Sequence, residues 1–142
     1  MTKTRKFKLN QNYIPILTQE GDEIYPNGIF HFNISRILTE IEYDRLVVEQ
    51  ERIDVKEWFR THYRGRVNED HLPTVEISKP VIQAEIRSGM FEIIDGNHRM
   101  EKAYREGISF VDSYKLKGEQ LLAFFIDVRG YNAFVEYWNS NL

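Results

Sequence analysis

Apolar positions fall in short runs separated by Gly, Pro and charged clusters, and the spacing inside each run predicts its element. Tyr13-Ile14-Pro15-Ile16-Leu17 and Glu23-Ile24-Tyr25 flank the polar tetrad Gln19-Glu20-Gly21-Asp22, which predicts a hairpin. Pro26-Asn27-Gly28 then breaks the chain. Ile29 to Ile34, rich in aromatic and β-branched side chains, predicts a short buried strand that includes His31. Ser35 is placed to cap a helix, in which Ile37, Leu38, Ile41 and Leu46 keep only loose helical spacing among Glu40, Glu42 and Asp44. Asp54 is a stronger cap, because Val55, Trp58 and Phe59 recur at helical spacing behind it. A helix over 55–63 follows, closed by Arg64-Gly65-Arg66.

In the second half, Pro73 opens the alternating stretch Thr74-Val75-Glu76-Ile77, which predicts a strand. Val81 to Ile86 and Met90 to Ile94 read as two strands joined at Ser88-Gly89. Asp95-Gly96-Asn97-His98-Arg99 leads into Met100, Ala103 and Tyr104 at helical spacing, with Gly107 as the stop. Phe110 to Leu116 resumes strand patterning, and Gly118-Glu119-Gln120 begins a further helix. Tyr131, Phe134, Val135 and Trp138 form one apolar helical stripe, suited to a core or, at an accessible chain end, to an interface. Strands and helices mixed in this order predict an α+β fold, and without repeats or linkers the reading is one domain over 1–142.

Composition adds exclusions. Cysteine is absent, which removes disulfides, thiolate metal sites and cysteine nucleophiles. The net charge is -3, but residues 1–8 carry four basic groups and no acid, so the other 134 residues hold 15 basic against 22 acidic groups. A basic, flexible, solvated leader over 1–12 is expected, and a body this acidic disfavours DNA binding. Neither a signal-peptide core nor a membrane-length apolar run is present, so the expected location is cytoplasmic. The four histidines lack metal-site spacing, and no metal centre is expected.

Chemistry concentrates in the junction from Phe91 to Ala103, where a strand passes through a Gly turn directly into a helix. The first turn of a helix has unpaired N–H donors at the positive end of the macrodipole, and a glycine has no Cβ to obstruct an approaching anion. Gly96, Asn97, His98 and Arg99 are the candidate phosphate-binding residues, with Asn97 or His98 at the cap and the Arg99 guanidinium matching an oxyanion. Asp95 and His98 are the candidate catalytic residues. Asp95 is suited to orienting His98 or Arg99, to holding a nucleotide-bound metal, or to acting as a base. The same residues also make ordinary turn and capping chemistry, with His98 and Arg99 simply solvated.

The junction resembles the second motif of the ParB N-terminal domain and sulfiredoxin superfamily, in which a strand ends in Asp-Gly-His-His-Arg or a close variant. Asp95, Gly96, His98, Arg99, Ala103 and Gly107 match; Asn97 replaces the first His of that variant. The likeness covers residues 73–117, including a Pro-opened strand at Pro73 to Ile77 and the Ser88-Gly89 turn. Ile29 to Ile34 and Ile53 to His62 stand where the family has its first strand and a helix.

That resemblance implies an α+β nucleotide-binding fold whose loop cradles the phosphates of ATP, ADP or CTP with Mg²⁺. Fold alone leaves the reaction open between a small phosphotransferase and a nucleotide hydrolase. Sulfiredoxin-type repair needs a Cys in the loop and is disfavoured. The helix-turn-helix DNA module of the chromosome-partitioning clamps is not recognisable after Gly107. In the free-serine kinases of the superfamily an upstream Glu serves as base; Glu40, Glu42 and Asp44 lie in that region, none aligns with a family motif, and a solvated helix face explains them equally. Two alternatives stand beside nucleotide binding: a nuclease-like or nucleic-acid-associated protein, and a non-catalytic partner-binding protein of immunity or antitoxin type. The substrate beyond the nucleotide, small molecule or protein, is not specified by these motifs.

Overall fold

The computed structural model describes residues 5–64 and 67–142. In chain order the elements are β1 (Ile24–Asn27), β2 (Phe30–Asn33), α1 (Ile34–Glu42), β3 (Glu49–Asp54), α2 (Val55–Thr61), β4 (Val81–Arg87), β5 (Met90–Asp95), α3 (Asn97–Arg105), β6 (Phe110–Leu116), α4 (Gly118–Leu121) and α5 (Val128–Ser140). The fold is mixed α+β, with a two-stranded sheet β1-β2 and a four-stranded sheet in the order β3-β6-β4-β5. β1 and β2 pair antiparallel with Tyr25 opposite Phe32, and β3 pairs antiparallel with β6, Ile53 opposite Val111. The short Ser88-Gly89 connection makes β4 and β5 a hairpin, with Gly89 at φ +78°. Contacts divide the chain into two compact units, one of residues 1–48, 84–92 and 116–142 and one of residues 49–83 and 93–115.

In the first unit the aromatic stripe of α5 is core: Tyr131, Phe134, Val135 and Trp138 are buried together with Phe32, Leu121, Phe124 and Phe125. Arg5 to Asn10, expected as part of a solvated leader, are instead tied down. Phe7 stacks on Trp138 at 4.4 Å, its backbone bonds Asn139 in both directions, and Trp138 Nε1 donates to the Arg5 carbonyl. The Arg5 guanidinium makes a two-pronged contact with the buried Glu85 carboxylate at 2.6 and 2.7 Å. Burial alone would raise the Glu85 carboxyl; Arg5 and the Gly118 and Gly89 N–H groups outweigh it and hold the carboxyl below the usual range. At Arg5 and Phe7 the charge pattern looks solvent-seeking, whereas Arg5 has a buried partner far away in sequence and Phe7 is buried; residues 1–4 lie outside the described residues.

The hairpin expected between 13–17 and 23–25 forms one segment later, with Gly28 at φ +58° supplying its turn. Asn33 rather than Ser35 caps α1, its Oδ1 accepting from Arg36 N, while the Ser35 hydroxyl accepts from Glu23 N. Asp54 caps α2 as expected, accepting from Glu57 N. That helix ends at Thr61, and the stop expected at Gly65-Arg66 lies outside the described residues. The strand expected over Pro73 to Ile77 does not form: Leu72–Thr74 is a single 3₁₀ turn, and residues 75–80 are turn and irregular chain before β4. Pro73 removes a ladder donor and suits the first turn of a helix, which is the choice the chain makes. Strand β3, with charged Glu49, Glu51, Arg52 and Asp54, was not anticipated, because most of its side chains face water and only Ile53 is buried.

The second unit has its own core, built from Ile53, Val55, Val81, Ile93, Met100, Ala103 and Val111, with Trp58, Phe59 and Ile77 packed against it. Gln83 and Ser113 are buried polar residues with partners: the Gln83 amide donates to the Ser113 hydroxyl at 2.9 Å, which donates to the Glu51 carbonyl. Among the described residues no helix is long and apolar enough to cross a membrane.

Candidate functional site

The junction folds as its sequence demands. β5 ends at Asp95, and Gly96 turns the chain at φ +101°, ψ +22°, a conformation that L side chains rarely adopt. A second constraint acts there. A Cβ on Gly96 would lie 2.5 Å from Val81 Cγ1 and 2.9 Å from Arg99 Nη1, so glycine also permits this turn to pack against β4. α3 begins at Asn97, and the cap position expected for Asn97 or His98 belongs to Gly96. With no Gly96 side chain, nothing from the cap position covers the first-turn N–H groups of Asn97, His98 and Arg99.

Arg99 is turned back toward the sheet. Its Nη1 donates to the Pro80 carbonyl at 2.9 Å and lies 3.6 Å from Asp95 Oδ2. Asp95 therefore serves as the counter-ion that orients Arg99, one of the roles expected of it; Nε and Nη2 are the donors left for an external anion. The Asp95 and Arg99 side chains are mostly shielded from solvent, at 13% and 19% exposure.

His98 is not oriented by Asp95. The Asn68 backbone N–H donates to its Nε2 at 3.1 Å, which places the proton of the neutral ring on Nδ1. The His71 ring stands edge-on to it with centroids 5.2 Å apart. His71 and Asn68 lie about 30 residues upstream and carried no signal linking them to the loop; only the path of the 67–75 segment brings them there. Lys102 fixes that path, donating from Nζ to the Pro73 and Val75 carbonyls at 3.0 and 2.8 Å. Among the described residues no group of three or more His, Asp or Glu side chains is placed to hold a metal.

The far end of α3 is pinned by charge. Glu101, itself buried, receives Arg64 at 2.9 and 2.6 Å and Arg105 at 2.6 Å, and Arg105 also pairs with Glu69. The Arg64 guanidinium, then Arg105, holds the Glu101 carboxyl below its ordinary range. Of the upstream acids, Glu40 is likewise committed to a guanidinium. Glu40 is bonded by Arg45 at 2.8 and 2.9 Å, which lowers its carboxyl, the opposite of the shift a general base acting near neutrality needs.

The residues thus brought together are Asp95 with Arg99, and His98 with His71 and Asn68. The junction offers first-turn N–H donors free of a side-chain cap, one imidazole of defined tautomer and a braced guanidinium, a donor set that suits an oxyanion. No family model, curated protein or solved structure matches this chain.

Proposed function

We propose that the Asp95–Arg99 turn binds the phosphate of a nucleotide, with ATP, ADP or CTP as the candidates, in a fold of ParB N-terminal and sulfiredoxin type. The carrying observation is the left-handed Gly96 turn, packed on Val81, that presents the uncapped first-turn amides of Asn97, His98 and Arg99. These amides would take the phosphate oxygens, with His98 Nδ1–H and the outer Arg99 donors closing around them. Bound Mg²⁺ would supply charge neutralisation and would arrive on the nucleotide phosphates, because Asp95 is engaged with Arg99. A small phosphotransferase or nucleotide hydrolase is the activity such a site would serve, with His98 and Asp95 as its protein groups.

Thermal unfolding across a panel of ATP, ADP and CTP with Mg²⁺ tests the reading. A ligand at about 100 times its Kd stabilises by about 2.7 kcal/mol, a readily measured rise in melting temperature. Arg99→Ala, compared with its own ligand-free melting point, should lose most of that rise. No shift with any of the three nucleotides overturns the proposal. Salt-dependent binding of DNA or RNA in its place would favour the nucleic-acid alternative, and recovery of a stoichiometric protein partner would favour the non-catalytic one.

A further inference from the structure

A different face of the second unit carries its own chemistry. An open cavity of about 480 Å³ is lined by Lys56, Phe59 and Arg60 of α2 and Tyr104 of α3. That volume falls within the ~300–1,000 Å³ range of small-molecule sites. Lys56 and Arg60 are four residues apart on one helical face, where like charges repel unless an anion lies between them. No carboxylate lines the cavity. Glu57 reaches Arg60 at 3.0 Å, but both side chains are well exposed, and among the described residues no salt bridge engages Lys56.

The aromatic walls are braced. Phe59 and Tyr104 meet edge to face with centroids 5.4 Å apart and planes at 82°. The Arg64 guanidinium sits over the Tyr104 ring at 4.1 Å and is itself held by buried Glu101. Residues 52–66 carry five basic groups against two acids, inside a chain whose net charge is -3. This local reversal of charge lies on the segment that supplies three of the four lining residues.

From these observations we infer that the α2–α3 cavity binds a planar aromatic ring bearing a single anionic group. The ring packs on Phe59 and Tyr104, and the phosphate or carboxylate sits between Lys56 and Arg60. This site is independent of the Asp95–Arg99 turn. A nucleoside monophosphate and an aromatic carboxylate share the required chemistry, and the test separates them.

The experiment is NMR titration of the full chain, reading the Phe59 and Tyr104 ring signals and the Lys56 and Arg60 amides, with AMP and 4-hydroxybenzoate as probes. Adenosine has the ring without the charge, and ribose 5-phosphate has the charge without the ring. AMP or 4-hydroxybenzoate should move these signals saturably, with each control weaker by about tenfold or more. The tighter of the two probes identifies the source. Lys56→Glu, at a position outside every ion pair described, should melt no lower than the wild type, because it turns the repulsive pair with Arg60 into an attractive one, and should weaken the better probe by about tenfold. The inference is overturned if neither probe shifts these signals at millimolar concentration, if ribose 5-phosphate binds as well as AMP, or if Lys56→Glu leaves affinity unchanged. Shifts confined to the amides of Asn97 to Arg99 would overturn it as well, while leaving the phosphate turn in place.

Discussion

Replacing Gly96 by alanine separates two costs that the turn combines. The left-handed backbone at φ +101° disfavours any L side chain by about 1–2 kcal/mol. The new Cβ would also sit 2.5 Å from Val81 Cγ1 and 2.9 Å from Val81 Cβ, inside a β-branched residue that cannot swing away. Overpacking of this kind costs about 1–3 kcal/mol, so Gly96→Ala should destabilise by about 2–5 kcal/mol. Gly89 is the internal control. It has φ +78° but nothing within 4 Å of its would-be Cβ, so Gly89→Ala should show only the backbone cost of about 1–2 kcal/mol. Urea titration of wild type and both variants measures the difference as a displacement of the midpoint at unchanged slope. Equal losses for the two variants, or a smaller loss for Gly96→Ala, would refute the claim that this turn is packed against Val81.

Other consequences are equally direct. Phe7→Ala removes a buried ring stacked on Trp138 and should cost about 3–5 kcal/mol by urea unfolding; a loss within 0.5 kcal/mol, typical of surface sites, would mean that the N-terminal segment is not docked. Glu101 should make stability depend on acid. Arg64 and Arg105 hold its folded carboxyl below the 4.5 of a free Glu, so its contribution is present above that pH and is lost as pH falls through the lowered value. Glu101→Gln should therefore be less stable than wild type near neutrality and converge on it in acid; a constant gap in melting temperature from pH 6 down to about pH 3 would contradict the ion-pair account.

Legibility followed how local each decision was. Asp54 capping α2, the Ser88-Gly89 turn and the Gly96 junction are settled by residues within a few positions of one another, and all three stood out in the chain. Pro73 to Ile77 alternates like a strand, yet Lys102 reaches across to bond the Pro73 and Val75 carbonyls in the observed non-strand path, a contact no local pattern contains. The docking of Arg5 on Glu85 is likewise a bond between residues 80 positions apart. At the candidate site, the identities of Asp95, Gly96, His98 and Arg99 were readable, but their orientations were not. Arg99 turns to the Pro80 carbonyl, 19 positions away, as well as to neighbouring Asp95, and His98 takes its proton arrangement from Asn68, 30 positions away.

The central claim is that an anion sits on the first turn of α3, and amide NMR reads those groups directly. Titration of the ¹⁵N-labelled chain with ATP and Mg²⁺, and separately with inorganic phosphate, should move the Asn97, His98 and Arg99 amides first and saturably, with the His98 ring signals following. If those three amides stay in place at saturating nucleotide, the turn is a structural junction and the account of its function is contradicted.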